Sequence, residues 1–444
     1  MSISWPVKTL SIVTASGMVA LGTPSGLPGP AAADPALASA RATTPVLQRL
    51  RYLQTLPRHR SAAQTAADSR VRAAAGAPQY GISPIYANAF AVALSQTGRA
   101  LLHADGNNGQ TYNYVAFVND SAPVLQLVQG CPPACDPLGG GPYPYYMSFF
   151  SALAIDNGVG SVVGFWGDQN SKDQGTVAYS NDYFIRWELH GRTASAITQI
   201  VPTISKKQLA LYVGDGINDR GVSVGYRQSF GNPPTPGMGL SAVQFIGNNV
   251  TTLASLPGNT CGGDSASAIN DAGTIVGSVA TDCTSSTYDQ RAARFSPNGP
   301  AALLPVRSPS AAAAINATGD VTGYWGVSSV GAPGAGMFLT GRAGTVYLPQ
   351  LPAPPNFTFI SASASAINDS DEVVGTDTYE NANGTQSDTR ALLYANGHAY
   401  DLNTLIPPNS GWQIVDAAGI NDRGEILGDG YYNGTLMPFI LKTL

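Results

Sequence analysis

Seven times along this chain, small and branched apolar residues lead into an Ile-Asn-Asp-type turn and a Gly, followed by two aliphatic residues and a second Gly. The copies start at Ala93, Ala154, Gly216, Ala268, Ala314, Ala366 and Gly419, and their anchor residues are Leu94, Ile155, Ile217, Ile269, Ile315, Ile367 and Ile420. Successive anchors are 61, 62, 52, 46, 52 and 53 residues apart. A period near 50 made of short apolar runs punctuated by turn residues predicts the blades of a propeller. The sixth copy shows four strands most plainly: FISASASAIND, DEVVGTDTY, TRALLYANG and HAYDLNTLI. The fold class is therefore all-β, a seven-bladed β-propeller of four-stranded antiparallel blades spanning residues 79–444.

Each part of the repeat has a steric reading. Asn or Asp caps the turn between strands one and two, and Gly supplies the positive φ that a short bulged hairpin needs. The Ala/Ser run fits an innermost strand crowded around a narrow axial channel. The Val-Val or Ile-Val pair of strand two then fills the space between blades. The last copy offers only three strands before Leu444, so the segment near Tyr80 to Tyr86 is expected to pair with residues 436 to 443 as their outer strand. That closure removes an open sheet edge.

Composition agrees with an all-β chain: charged residues are 11%, with 50 Gly and 32 Pro. Charge is unevenly spread. Met1 to Ala77 holds eight Lys and Arg against Asp34 and Asp68, while the remainder holds 15 basic and 26 acidic residues. An acidic body argues against nucleic acid as a partner. At the N-terminus one Lys precedes an apolar stretch from Leu10 to Leu21, followed by small residues suited to cleavage near Ala33 or Ala38. A run of roughly 12 apolar residues is short of the ~20 needed to span a bilayer, so residues 1–33 read as a secretory signal peptide. No membrane span is expected in the mature chain, which is expected to be a monomer that is secreted, periplasmic or held at a bacterial cell surface. Residues 34–78 read as a mobile Ala/Arg-rich linker or pro-segment with one short helix, in which Val46, Leu47, Leu50, Leu53 and Leu56 share a face.

Four cysteines in an exported chain suggest disulfides. Cys261 and Cys283 flank one repeat hairpin at equal distance from Ala272, which would bring them opposite each other at its open end; Cys131 and Cys135 would pair locally in CPPAC. No companion Cys or His pair points to a metal, and no cofactor is expected.

The C-terminal stretch from Thr389, with its TRALLYANGHAYDLNTL and AGINDRGEILG segments, resembles the bacterial HAF-family extracellular repeat proteins. The likeness is strongest from about Ala266 onward. It departs at the family's name-giving tripeptide, since the matching places, such as Arg390-Ala391-Leu392 and Met437-Pro438-Phe439, lack its His. The resemblance implies export and a propeller-like fold but no settled activity.

Candidate chemistry is sparse. His103, His190 and His398 are scattered, and no catalytic residue is assigned. Asp219, Asp271, Asp369 and Asp422, with Asn218, Asn270, Asn316, Asn368 and Asn421, are expected to form a partial ring of turn caps near the channel. Aromatic residues that stack on sugars or anchor a protein are better binding candidates: Tyr143, Tyr145, Tyr146, Trp166, Trp325, Tyr431 and Tyr432. The reading that results is a non-catalytic binding or surface scaffold whose ligand, a glycan or protein, sits on a loop face. The alternative is a lyase or hydrolase acting on extracellular polysaccharide. Convergence of Asp168, Asp215, Glu372 or Asp377 in one pocket at the channel mouth would favour that alternative.

Overall fold

The computed structural model describes Leu53, Leu56 and residues 77–444, except position 87 and the segments 106–110, 119–124, 128–144, 156–157, 159, 174–175, 191–192, 201–208, 231–238, 283–288 and 327–335. The backbone alone, without side chains, is described over 145–152, 165–173, 176–183, 193–200 and 209–211 and at 105, 111, 229–230 and 282. The strands form seven four-stranded antiparallel sheets. The innermost strand of each contacts that of the next, and the strand at Phe90–Leu94 contacts the one at Trp412–Ile420, so the ring closes. This is a seven-bladed β-propeller.

Closure follows the three-plus-one expectation. Tyr80–Pro84 is the outer strand of blade seven, pairing from Tyr80 opposite Thr443 to Pro84 opposite Phe439. The ends are tied beyond the ladder, with Leu444 N–H donating to Gln79 O at 3.0 Å and Tyr80 N–H donating to Leu405 O at 2.9 Å.

The aliphatic pair of strand two divides its work between two interfaces. Ile275 of blade four packs with Val224, Ala242 and Leu253 of blade three, while Val276 beside it packs with Ala312, Val321 and Phe338 of blade five. Val373 and Val374 repeat this, one turned to Met337 and Leu348, the other to Ile414, Ile420 and Phe439. A strand's period of two sends neighbours to opposite faces, so a pair is the shortest device that supplies both interfaces. Burying each such side chain contributes about 1.5–3 kcal/mol.

The two glycines of the repeat do different jobs. At the turn, Gly98, Gly160, Gly221, Gly273, Gly319 and Gly424 have φ between 70° and 91°, and blade six places Asp371 there at φ 61°. In strand two, a Cβ on Gly225, Gly277, Gly323, Gly375 or Gly428 would collide with a carbonyl oxygen of strand one, that of Ser265 in the case of Gly277. The second Gly therefore lets two strands approach where strand one bulges.

One expectation changes in detail. The segment DLNTL continues strand four only to Asp401; Leu402–Thr404 is a 3-10 turn capped by the Asp401 side chain. Asn403 in it exchanges hydrogen bonds with both backbone groups of Ile414, at 2.7 and 2.9 Å, locking blade six to the first strand of blade seven. Of the apolar face expected in the 34–78 segment, Leu53 and Leu56 are described. Leu53 is fully buried in a core with Phe90, Val92, Leu101 and Trp187, and Leu56 packs against it; the rest of the segment up to residue 76 lies outside the described residues.

Among the described residues no helix is long and apolar enough to cross a membrane. Cys261 is buried and is not a free thiol, whereas Cys131, Cys135 and Cys283 lie outside the described residues.

Candidate functional site

All seven blades meet at one concavity, the mouth of the axial channel on the face carrying the turns between strands one and two. Its volume is about 380 Å³. The wall is set by a β-bulge that recurs in strand one of every blade, between residues such as Gly214 and Gly216 or Ala364 and Ala366. A bulge leaves one residue without a ladder partner and re-aims its side chain. The seven bulged residues are Val92, Leu153, Asp215, Ser267, Ala313, Ser365 and Ala418, and all of them line the cavity. The expectation of small side chains holds for blades four to seven. Blades one and two fill the position with Val and Leu, and blade three alone places a charge-bearing group there.

That group is 9% exposed, and its Oδ1 has no hydrogen-bond partner. Burial raises the Asp215 carboxyl well above the usual carboxylate range, because the charged form loses its hydration and no neighbouring cation replaces it.

The rim is built from the Asn-Asp turns, which do more than cap. Each Asn holds its own turn through Oδ1: Asn368 accepts from the N–H groups of Ser370 and Glu372, both at 3.0 Å. Its Nδ2 reaches the next blade. Asn218 donates to Asn270 O, Asn270 to Asn316 O, Asn316 to Asn368 O and Asn368 to Asn421 O, at 3.0 to 3.2 Å. The following residue makes a second tier. The Oδ1 atoms of Asp219, Asp271, Asp369 and Asp422 accept from the N–H of Gly158, Asp219, Ala317 and Asp369, each at 2.8 Å, and Gln96 accepts from Asp422. Two tiers of hydrogen bonds thus run from blade to blade around the mouth. Ala317 offers no acceptor, so the lower tier is interrupted between blades four and five. The ring of Asn and Asp expected from the sequence is present at the mouth, and four of its carboxylates line it.

The carboxylates nominated for acid/base work do not gather here. Of the four, Asp215 lines the mouth; Glu372 accepts from Asn368 Nδ2 at 2.7 Å, and Asp377 lies fully buried beneath Leu351. The Asp168 side chain lies outside the described residues.

Trp325, Tyr431 and Tyr432 belong to the opposite face, because strand two runs away from the turn. Trp325 ends strand two of blade five, half-buried, with the Arg307 guanidinium 5.1 Å from its ring centroid and Tyr347 edge-on at 5.2 Å. Tyr432 is half-buried and stacks on Trp412 at 5.0 Å. Tyr431 is fully buried between blades. Tyr145, Tyr146 and Trp166 lie in blade-two strands whose side chains are not described, and Tyr143 lies outside the described residues. His103 is buried against Asn113, His190 is exposed near Glu188, and His398 lies at the periphery beside Tyr400; none lines the mouth.

Residues 306–437 match a family described as "Protein of unknown function (DUF3466)". That stretch covers blades five and six and most of blade seven. No curated protein matches the sequence. Among solved structures the chain is similar to YCF48 bound to D1 peptide, at 9% identity over 85% of this chain and 98% of that one, with a TM-score of 0.39. It is similar to Trypanosoma rangeli sialidase at 12% identity over 81% of this chain, spanning 54% of that chain's length, with a TM-score of 0.35. It is also similar to AofleA from Arthrobotrys oligospora, at 11% identity over 88% and 94% of the two chains, with a TM-score of 0.30. Likenesses this remote carry no argument about what this chain binds.

Proposed function

We propose that the protein is an exported binding propeller without catalytic activity, and that it takes its ligand at the mouth of the axial channel. The observation that carries this reading is Asp215. Seven equivalent wall positions converge on one cavity, and blade three alone places an unpartnered carboxyl there. Isolated buried carboxyls weaken a fold, and such groups cluster where a ligand supplies the missing partner. A general acid/base pair needs a second carboxylate at a fixed separation. The other carboxylates at the mouth, Asp219, Asp271, Asp369 and Asp422, each commit an oxygen to the blade-to-blade hydrogen-bond belt, which supports binding over hydrolysis.

Glycan-array and pull-down screens of the exported protein, run beside an Ala313→Phe variant that plugs the channel wall, test the reading. A ligand captured by the natural chain and lost in the plugged one is the expected result. Capture that is indifferent to the plug overturns the site. New reducing ends or unsaturated sugars released from a polysaccharide panel overturn the non-catalytic assignment.

A further inference from the structure

We propose that the channel mouth binds a primary alkylammonium group, with Asp215 as its counter-charge and the turn aspartates as the attracting rim. The proposal deepens the binding reading above and rests on it. Its first support is the distribution of polarity around the wall. Of the seven bulged positions, blades three, four and six carry Asp215, Ser267 and Ser365, each able to accept a hydrogen bond. An ammonium has three donors to place and no acceptor to satisfy. Val92, Ala313 and Ala418, on the same ring, supply apolar surface for an alkyl stem.

The second support is the charge at the entrance. Asp369 and Asp422 are exposed, and Asp219 and Asp271 half-buried. Each commits one carboxylate oxygen to the belt, and the negative charge remains on the rim. Carboxylates crowded around a concave mouth focus a negative potential that concentrates cations. Arg423, in the blade-seven turn, does not cancel it, because its guanidinium is held by Glu425 at 2.6 Å and by Gln96 O at 2.8 Å.

The third support is the choice among cations. Among the described residues no group of three His, Cys, Asp or Glu side chains is arranged to hold a metal ion. A guanidinium needs two parallel acceptors in one plane, whereas Oδ1 of Asp215 is sealed from solvent and leaves Oδ2 as the one carboxyl oxygen open to the mouth. An ammonium can approach one oxygen along the channel axis and spread its other donors to the serines. Insertion would give the buried carboxyl the partner it lacks.

Two sources carry this chemistry, a free polyamine and a lysine side chain on a protein. Calorimetric titration of the full chain with spermidine, with a glycine-flanked lysine peptide and with its Nε-acetyl-lysine counterpart separates them. The expected result is binding of at least one charged probe, no binding of the acetylated peptide, and weakening by about tenfold or more in Asp215→Asn, the scale of a charge-assisted hydrogen bond. Thermal unfolding verifies that Asp215→Asn is folded, and Ala313→Phe gives an independent block of the same site. Unchanged binding in both variants, or no binding of either charged probe, overturns the proposal. If the charged probes fail while a glycan or protein ligand is still lost in Ala313→Phe, the ammonium assignment falls and the channel-mouth reading stands. If the plug alters the capture of nothing, both fall together.

Discussion

Asp377 offers a measurement in which a single carboxyl reports on its own burial. It is fully buried in strand two of blade six, where Oδ2 accepts from Leu351 N–H at 2.8 Å and Tyr379 Oη–H at 3.2 Å, while Oδ1 has no partner. Burial outweighs those two bonds and pushes the carboxyl from 3.8 up to about 6, with Asp401 adding to the rise. The native state therefore holds this proton more tightly than the unfolded chain does. The contribution of Asp377 to stability is full below about pH 3.8, declines as pH climbs through about 6, and is lost above it. At about 1.4 kcal/mol per pH unit, the decline is about 3 kcal/mol. In Asp377→Asn the amide oxygen can keep both bonds and nothing titrates. Whatever its NH₂ costs by lacking a partner is the same at every pH, so the diagnostic is the slope. Urea unfolding of both proteins from pH 3.5 to 8 should show the variant gaining about 2 kcal/mol on the natural chain between pH 4 and 6 and about 3 kcal/mol in all, then running parallel above about pH 7. A difference independent of pH would refute the assignment of an uncompensated buried charge.

The belt predicts that Asn368→Ala, which removes a turn cap and leaves Asn421 O without its blade-to-blade donor, costs about 2–4 kcal/mol, measured by chemical unfolding. Asp369→Ala removes an exposed second-tier acceptor and should cost under about 1 kcal/mol in the same assay. Gly277→Ala should prevent stable folding, because the new Cβ meets the Ser265 carbonyl in a packed inner strand; loss of cooperative thermal unfolding is the readout. Ser83→Pro removes a ladder donor from the closing strand opposite Ile440 and should cost about 3 kcal/mol, with concentration-dependent aggregation by light scattering as the edge opens. Peptide mapping of exported protein without reduction should recover Cys261 linked to Cys283, and recovery of Cys261 joined to another cysteine would exclude the hairpin pairing.

Much of this architecture was written locally. Blade number, strand order within a blade and the closing strand at Tyr80–Pro84 followed from a 50-residue period and a missing fourth strand, because each blade is a meander whose contacts are close in sequence. The turn chemistry was equally local: Asn, Asp and Gly act on their own backbone two to four residues away. What the turn residues do with their remaining atoms was not. Asn368 Nδ2 reaches Asn421 across 53 positions, and a bond across that separation depends on how neighbouring blades pack, which no short window of sequence contains. The same holds for the channel. In the sequence, Asp215 is one acid beside a turn in VGDGIND, scarcely distinguishable from its neighbours. The bulge between Gly214 and Gly216 turns it into the cavity, and the six bulged residues around it make it singular. The repeat fixed the frame through local sterics, and the packing of the blades decided which one of its variations brings a carboxyl to the channel mouth.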